Sequence, residues 1–326
     1  MRLEPTEVGT VNVVAGRDGG YLHIRTDSFG NVAEIKPDSN KKPAKTTVTL
    51  GMVDLQVNGF AGIDFNRDGL SAADLDRALM AMLAHGTTRC LPTIITSSVE
   101  KMAARLMALD IAVDESHLGP LMVAGFHVEG PFLSSEDGYA GCHPKEHMCA
   151  ADADVFARIV GRLQTPVRLV TVAPECDGAI EFIGQAVGQG IAVALGHTNA
   201  TTEQISAAVA AGASLSTHLG NAVSHTLEKN ENPLFAQLAE DGLSASFIAD
   251  GIHIPPALLK IYLRAKEFER TVLVTDATAG AAAEPGLYSL GDVQIERCAD
   301  GAVREPGSPY LGGSSATMEG IANNII

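Results

Sequence analysis

Acidic, amide and imidazole side chains recur at the ends of apolar runs along this chain, and their types suit metal binding and proton transfer. In order they are Asp54, Gln56 and Asn58; Thr93, next to Pro92; His127 and Glu129; Glu175; His197; His218; Asp250 and His253; and Asp276. Glu129, His197 and His218 are too far apart for a local spacing rule to join them, so only a closed ring of strands would bring them together. Given closure, one carboxylate and two imidazoles make a catalytic zinc- or iron-type set with a position left for water. Each residue also has a plainer reading. Glu129, followed by Gly130 and Pro131, can simply end a strand, although a carboxylate leaving an apolar run needs a partner once buried. His197 and His218 can be core histidines bonded to backbone carbonyls. Asp276 follows Val272, Leu273 and Val274 and precedes small residues; it is either a helix N-cap or a general base. His253, three residues after Asp250, can orient a substrate or cap the next helix. His127 shares a strand face with Glu129 and reads as a deeper barrel residue rather than a ligand. His85, His117, His147 and His225 lack supporting context and read as surface or packing residues.

Periodicity predicts the elements that position these groups. Eight apolar, often β-branched runs read as strands: Val53–Val57, Arg89–Ile95, Met122–Val128, Val167–Val172, Ile191–Leu195, Ala213–Thr217, Ser244–Ala249 and Val272–Thr275. The intervals carry helix signals. Ser71 with Asp74 three residues on precedes an apolar face of Leu75, Ala78, Leu79, Met82 and Leu83, closed by Gly86. Thr201 or Thr202 opens another helix that closes near Gly212, and Pro255 with Pro256 suits the first turn of a third. Eight strand–helix repeats with nearly continuous apolar strands predict an α/β fold, a (β/α)₈ TIM-like barrel. A doubly wound open sheet competes; the barrel is favoured because the reactive residues fall at strand C-terminal ends. Residues 1–50 differ in texture. Short segments Val11–Val14 and Tyr21–Ile24 lie between Gly- and Asp-rich turns, and Lys41, Lys42, Pro43 and Lys45 form a polar tract, so a small β domain is expected over 1–50 and the barrel over 51–326.

Bulk properties narrow the function. The chain has 326 residues, 46% hydrophobic and 19% charged, enough to bury one large α/β core or two ordinary ones. Lys and Arg number 23 against 39 Asp and Glu, a net charge of −16 with no basic stripe, which excludes nucleic acid as an expected partner. An anionic substrate would have to be held by a few local cations or backbone N–H groups against this field. Five dispersed cysteines (Cys90, Cys142, Cys149, Cys176, Cys298) without C-x-x-C spacing argue against a disulfide framework or a zinc knuckle and for a reducing cytoplasm. The first residues are charged and no stretch approaches 18 apolar residues, so neither export nor a membrane partner is expected.

Taken together, ten segments resemble the N-acetylglucosamine-6-phosphate deacetylase family of the amidohydrolase superfamily. They are GMVDLQVNGFAGIDF (51–65), LPTIITSS (91–98), GFHVEGPFLS (125–134), GCHP (141–144), VTVAPE (170–175), LGHTNAT (195–201), THLGNAV (217–223), ADGIH (249–253), LVTDATAG (273–280) and LGGSSATM (311–318), in the family's order. The resemblance implies that Glu129, His197 and His218 bind one catalytic divalent metal, with zinc first and iron, manganese, cobalt or nickel as alternatives. Asp276 is then general base and later acid, with His253 assisting. It also implies contacts to an amino-sugar phosphate from Cys142, His143, Asn221, Ala222, His253 and the backbone of Leu311, Gly312 and Gly313. Many amidohydrolases carry H-x-H at the first strand and bind two metals; Gln56 and Asn58 occupy those positions here, which resembles the single-metal branch.

Two features depart from the family pattern. Members usually place an Arg eleven residues after the second metal His, often donated across a dimer interface, to hold phosphate; here the position is Lys229. Lysine binds phosphate as a point charge without a bidentate fork. The family also continues past the LGGS segment, so the small β domain, a sandwich, is expected to be incomplete. The implied activity is hydrolysis of N-acetyl-D-glucosamine 6-phosphate to glucosamine 6-phosphate and acetate by a homodimer. The alternatives are a deacetylase for another N-acyl amino sugar, such as the galactosamine epimer, or an inactive sugar-phosphate-binding relative.

Overall fold

The computed structural model describes residues 9–15, 21–27, 32–37, 47–48, 50–308 and 310–325. It divides into two compact units, Met1–Gly51 and Met52–Ile326. In the first, β1 (Gly9–Ala15), β2 (Tyr21–Thr26), β3 (Val32–Pro37) and β4 (Thr47–Val48) form one sheet in the order β3-β2-β1-β4. The pairs β1/β2 and β2/β3 are antiparallel, and β1/β4 is parallel. The polar tract from Lys41 to Lys45 lies outside the described residues.

The second unit starts with β5 (Met52–Val57) and a short hairpin, β6 (Gly59–Phe60) and β7 (Ile63–Asp64). Then follow α1 (Ala72–Ala84), β8 (Thr87–Ile95), α2 (Val99–Glu115), α3 (Gly119–Met122), β9 (Phe126–Glu129), α4 (Ala153–Val160), β10 (Val167–Val172), α5 (Ala179–Gly188) and β11 (Ala192–Leu195). The second half runs α6 (Thr202–Ala210), β12 (Leu215–Ser216), α7 (Pro233–Ala239), β13 (Ser244–Phe247), α8 (Pro256–Lys266) and β14 (Thr271–Leu273). An antiparallel sheet, β15 (Gly286–Leu290), β16 (Val293–Arg297) and β17 (Val303–Arg304), precedes α9 (Met318–Ile325).

Eight parallel strands form the barrel wall in the order β14-β13-β12-β11-β10-β9-β8-β5. The seam between its two edge strands is closed just beyond β14. The Asp276 N–H donates to the Gln56 carbonyl (2.9 Å), the Asn58 N–H donates to the Ala277 carbonyl (2.7 Å), and Val57 bridges Ala277 in parallel. Asp54, wholly buried, reinforces the seam by accepting from the Thr275 hydroxyl (2.5 Å) and N–H (3.1 Å). Burial pushes its carboxyl up to about 7 despite these bonds.

All eight expected strands are present, mostly trimmed. The largest change is at Met122, which ends the one-turn helix α3 with Pro120 in its first turn, so β9 begins only at Phe126. The helix signals act as read. The Ser71 side chain caps α1 at the Asp74 N–H, Thr201 and Gln204 form a capping box on α6, and Pro256 opens α8. Leu75, Leu79, Met82, Leu106 and Leu109 on α1 and α2 pack in the main core with the strand residues Ile94 and Val128. Leu91, Leu169, Ala194 and Leu215 from four strands form a separate small cluster. Each large apolar side chain buried in this way contributes about 1.5–3 kcal/mol. The antiparallel sheet β15–β17 was not anticipated. It is tied to α2 through Asp292, which accepts from Ser97 (2.8 Å), Lys101 (2.7 Å) and the buried Arg105 (2.9 Å).

Candidate active site

The C-terminal ends of the strands deliver four charged or chargeable groups to one buried place. Glu129 ends β9, His197 lies two residues past β11, His218 two past β12 and Asp276 three past β14. The last three have φ of 52°, 29° and 49°, the left-handed region that non-glycine residues rarely occupy, as does nearby Ala222 at 47°. Such conformations cost about 1–3 kcal/mol each and persist where surrounding structure holds them for a purpose.

Glu129 is the centre of the cluster. Its Oε1 lies 3.1 Å from His218 Nε2 and 3.3 Å from His197 Nε2, and its Oε2 lies 3.8 Å from His143 Nε2. Burial alone would raise the Glu129 carboxyl, but its contacts with His197 and His218 hold it well below the ordinary carboxylate range. His218 is disfavoured as a cation by burial, yet Glu129 reverses the balance and raises it. His143 goes the other way: burial and the charge of His197 push it down to about 3. His127, two residues before Glu129, is engaged by Thr171 (2.8 Å) and Thr93 (3.3 Å).

Amide side chains tie the acids together. Gln56 Nε2 donates to Glu129 Oε1 (2.9 Å) and to Asp276 Oδ1 (3.2 Å), and Asn58 Nδ2 donates to the same Asp276 oxygen (2.7 Å). Both amides engage Oδ1, which leaves Oδ2 available for proton transfer. Burial raises the Asp276 carboxyl to about 6, with His218 opposing and Glu129 adding to the shift.

The donor set fits a divalent cation. Ligand atoms of Glu129, His143 and His197 lie within 4.8 Å of one another. The Tyr139 carbonyl accepts from His197 Nδ1 (2.9 Å), which fixes the tautomer with a bare Nε2, and that buried atom has no hydrogen-bond partner. His218 Nδ1 and Asn58 Oδ1 are likewise buried and unpartnered. A site of one carboxylate and imidazoles with a lone pair left over is the chemistry of a catalytic first-row metal rather than of a magnesium or calcium site. His143 joins this cluster although the sequence placed it only with the substrate. Its Nδ1 is bonded to Thr96 Oγ1 (2.9 Å), so Nε2 is the atom that faces Glu129.

The cluster forms the floor of a cavity of about 380 Å³. Above it the wall carries Asn221, Ala222, His253, Leu311 and Gly313, and Arg304, Tyr310 and His225 also line it. Asp250 Oδ2 accepts from His253 Nδ1 (2.7 Å), so Nε2 is the nitrogen this ring offers a ligand. Two glycines are required by close approach: a Cβ at Gly141 would come 3.0 Å from His197 Cε1, and one at Gly313 would meet Thr278 Cγ2 at 2.6 Å.

No family model matches the chain. Comparison with individual proteins is decisive. The chain is 31% identical over 283 residues to the N-acetylglucosamine-6-phosphate deacetylase of Bacillus subtilis, covering 85% of this chain and 70% of that one. It belongs to the N-acetylglucosamine-6-phosphate deacetylase family. An N-acetylgalactosamine-6-phosphate deacetylase from Shewanella is 34% identical over 254 residues, covering 77% of this chain and 62% of that one. In structure, the chain is similar to the Mycobacterium smegmatis N-acetyl-D-glucosamine-6-phosphate deacetylase, solved with N-acetyl-D-glucosamine 6-phosphate. The TM-score is 0.85 at 30% identity, covering 97% of this chain and 83% of that one.

Seen as a deacetylase of this family, the chain gathers most of the expected substrate residues around the cavity. Cys142, His143, Asn221, Ala222, His253, Leu311 and Gly313 line it. Gly312 does not; its N–H is spent on the Val303 carbonyl (3.0 Å). Lys229 is exposed and outside the lining, in the loop before α7. His225, read from sequence as a surface or packing residue, is exposed and stacks on Tyr310 with ring centroids 5.5 Å apart, and it also lines the cavity. Arg304 was also missed. It lies on the unanticipated β17, and its signal was the alternation of Tyr288, Leu290, Val293 and Ile295 about Gly291–Asp292, a hairpin pattern.

Proposed function

We propose that the chain hydrolyses the acetamide of N-acetyl-D-glucosamine 6-phosphate to glucosamine 6-phosphate and acetate, with Glu129, His197 and His218 holding one divalent metal and Asp276 moving the protons. The observation that carries this reading is the convergence of Glu129, the imidazoles and Asp276 on one cavity floor, with Gln56 spanning the two acids. When bound, the cation supplies a Lewis acid that lowers the pKa of water and polarises an amide carbonyl. Asp276 Oδ2 takes the proton of the attacking water, and the same proton passes to the departing amine. The two amides on Oδ1 keep that carboxylate from rotating away. His253, braced by Asp250, orients the sugar. His143, pushed toward neutrality at working pH, offers a hydrogen bond rather than a charge beside the reacting carbonyl.

Lys229 is exposed and outside the cavity lining, and the homodimer reading has it reach the sugar bound by a neighbouring protomer. All five cysteines are unpaired, and among the described residues no helix is long and apolar enough to cross a membrane; a cytoplasmic setting suits both. The galactosamine epimer is the second reading, favoured by the similarity to the Shewanella enzyme.

The test is acetate release from a panel of 6-phosphorylated and unphosphorylated N-acetyl sugars. The enzyme is first stripped by a chelator and then reloaded singly with zinc, iron(II), manganese, cobalt or nickel. The gluco 6-phosphate should be the best substrate and the stripped enzyme inactive. Unchanged turnover after stripping would overturn the metal assignment, and a better galacto substrate would replace the sugar.

A further inference from the structure

A sugar phosphate brings two negative charges into a chain whose own net charge is −16, and the cavity floor adds the carboxylates Glu129 and Asp276. Binding therefore needs a cation within reach of the sugar's far end. Among the described residues that line the cavity, Arg304 is the one whose side chain stays positively charged; it is already engaged, one guanidinium nitrogen lying 4.0 Å from Asp300 Oδ2, so a phosphate would join or displace that pair. Its position follows from the antiparallel sheet. Arg304 pairs with Glu296 of β16 and bridges Leu311, and the segment after Leu311 returns to the floor, where the Ser314 N–H donates to the Asp276 carbonyl (2.8 Å). From Gly313, packed against Asp276, to Leu311 is two residues of chain, about 7 Å, and Leu311 to Arg304 is one strand spacing, about 5 Å. The two steps bound the backbone separation at about 12 Å, more than one hexose ring and comparable to a hexose carrying substituents at both ends. Beside Arg304, the stacked rings of His225 and Tyr310 give the rim a flat apolar face of the kind a pyranose covers.

We propose that Arg304 is a specificity-determining residue that holds the 6-phosphate from within the same chain, its guanidinium presenting a fork of donors to the phosphate oxygens at the rim while the acetamide lies on the floor. This rests on the deacetylase reading above. A guanidinium fork matches phosphate oxygens in a bidentate way that an ammonium cannot. The cis arrangement means that recognition of the phosphate does not wait on Lys229 of a second copy.

The test compares kcat/KM for N-acetylglucosamine 6-phosphate with that for N-acetylglucosamine in the wild-type holoenzyme, Arg304→Gln, Arg304→Lys and Lys229→Ala. Arg304→Gln should reduce the preference for the phosphorylated sugar by about ten- to a hundredfold, chiefly through KM. Arg304→Lys should recover part of it, and Lys229→Ala should reduce it less than Arg304→Gln does. A preference in Arg304→Gln within about twofold of wild type would overturn the assignment, as would a wild type that does not discriminate. Competition by inorganic phosphate, followed as binding to the metal-loaded protein, keeps the two readings apart. If no sugar is deacetylated but phosphate binds wild type at least tenfold more tightly than Arg304→Gln, the reaction fails and the anion site stands. Equal phosphate binding by the two proteins would sink the anion site.

Discussion

At the N-terminal end of the barrel strands, polar side chains mostly finish the loops, Arg270 Nε before β14 being an exception, whereas at the C-terminal end several atoms are left over. Asp110 of α2 accepts the N–H groups of Gln164 and Thr165 (2.8 Å each), just before β10. Asp76 of α1 accepts from the backbone of His117 and Leu118 ahead of α3. Lys266, at the end of α8, donates to the carbonyls of Glu240 and Leu243, which lead into β13. At the other end His197 Nε2, His218 Nδ1 and Asn58 Oδ1 are buried without partners, and the backbone carrying both histidines is left-handed. One end secures the fold mostly with satisfied hydrogen bonds, although Glu267 after α8 is itself strained at φ 59°. The other withholds satisfied hydrogen bonds and accepts strain so that a ligand can complete it.

Substitutions at the two ends should therefore separate activity from stability. The largest effect is expected from Asp276→Asn, which should lower kcat by about 10²–10⁴-fold while metal content, read by elemental analysis, stays at one per chain. Removing a buried charge beside Glu129 should also leave the melting temperature equal or higher. A large fall in both metal content and melting temperature would make Asp276 part of the scaffold. Asp110→Ala should do the converse, costing about 1–3 kcal/mol by leaving two loop N–H groups without acceptors, with kcat within about twofold. Chemical denaturation alongside steady-state kinetics measures both, and a variant that lost turnover at unchanged stability would break the comparison.

The effect confined to the narrowest conditions is a pH slope at Lys266. Burial lowers its pKa from 10.5 to about 8, so folding releases a proton between those values. A depressed folded pKa contributes stability that is present above 10.5 and lost as pH falls through 8. Unfolding free energy should thus gain more between pH 8 and 10.5 in wild type than in Lys266→Met. Equal slopes would show that the ammonium is not penalised there.

The strand C-terminal ends were legible because a buried carboxylate or imidazole after an apolar run is unusual enough to be noticed, and ring closure then gathers such residues. Eight strands in order made Glu129, His197, His218 and Asp276 candidates, each with a plainer reading beside it, and the family resemblance joined them into one set. Arg304 and His225 were not legible in the same way. The three strands around Arg304 alternate half-buried and exposed residues and pair antiparallel, so they break the strand–helix rhythm that revealed the barrel. His225 sits in an irregular stretch after His218, and its place at the cavity depends on Tyr310, which is 85 residues away. Loops acquire such neighbours only in three dimensions. Two of the four small-sheet strands, β1 and β2, were readable between turn residues, but β3, β4 and the start of β9 were not, the last because Pro120 converts the first part of an apolar run into a helical turn.

The seam sealed by Asp54 and Thr275 has a kinetic meaning. These partners are 221 residues apart, so the ring cannot close until most of the barrel has been synthesised, and the loop that must be ordered to make this contact is among the longest the chain permits. A nascent chain ending before Thr275 holds Glu129, His197 and His218 but lacks the wall that sets Gln56 beside them. Completion of the cavity floor, like folding, is then a late event in the life of each molecule, arriving when first and last strands meet.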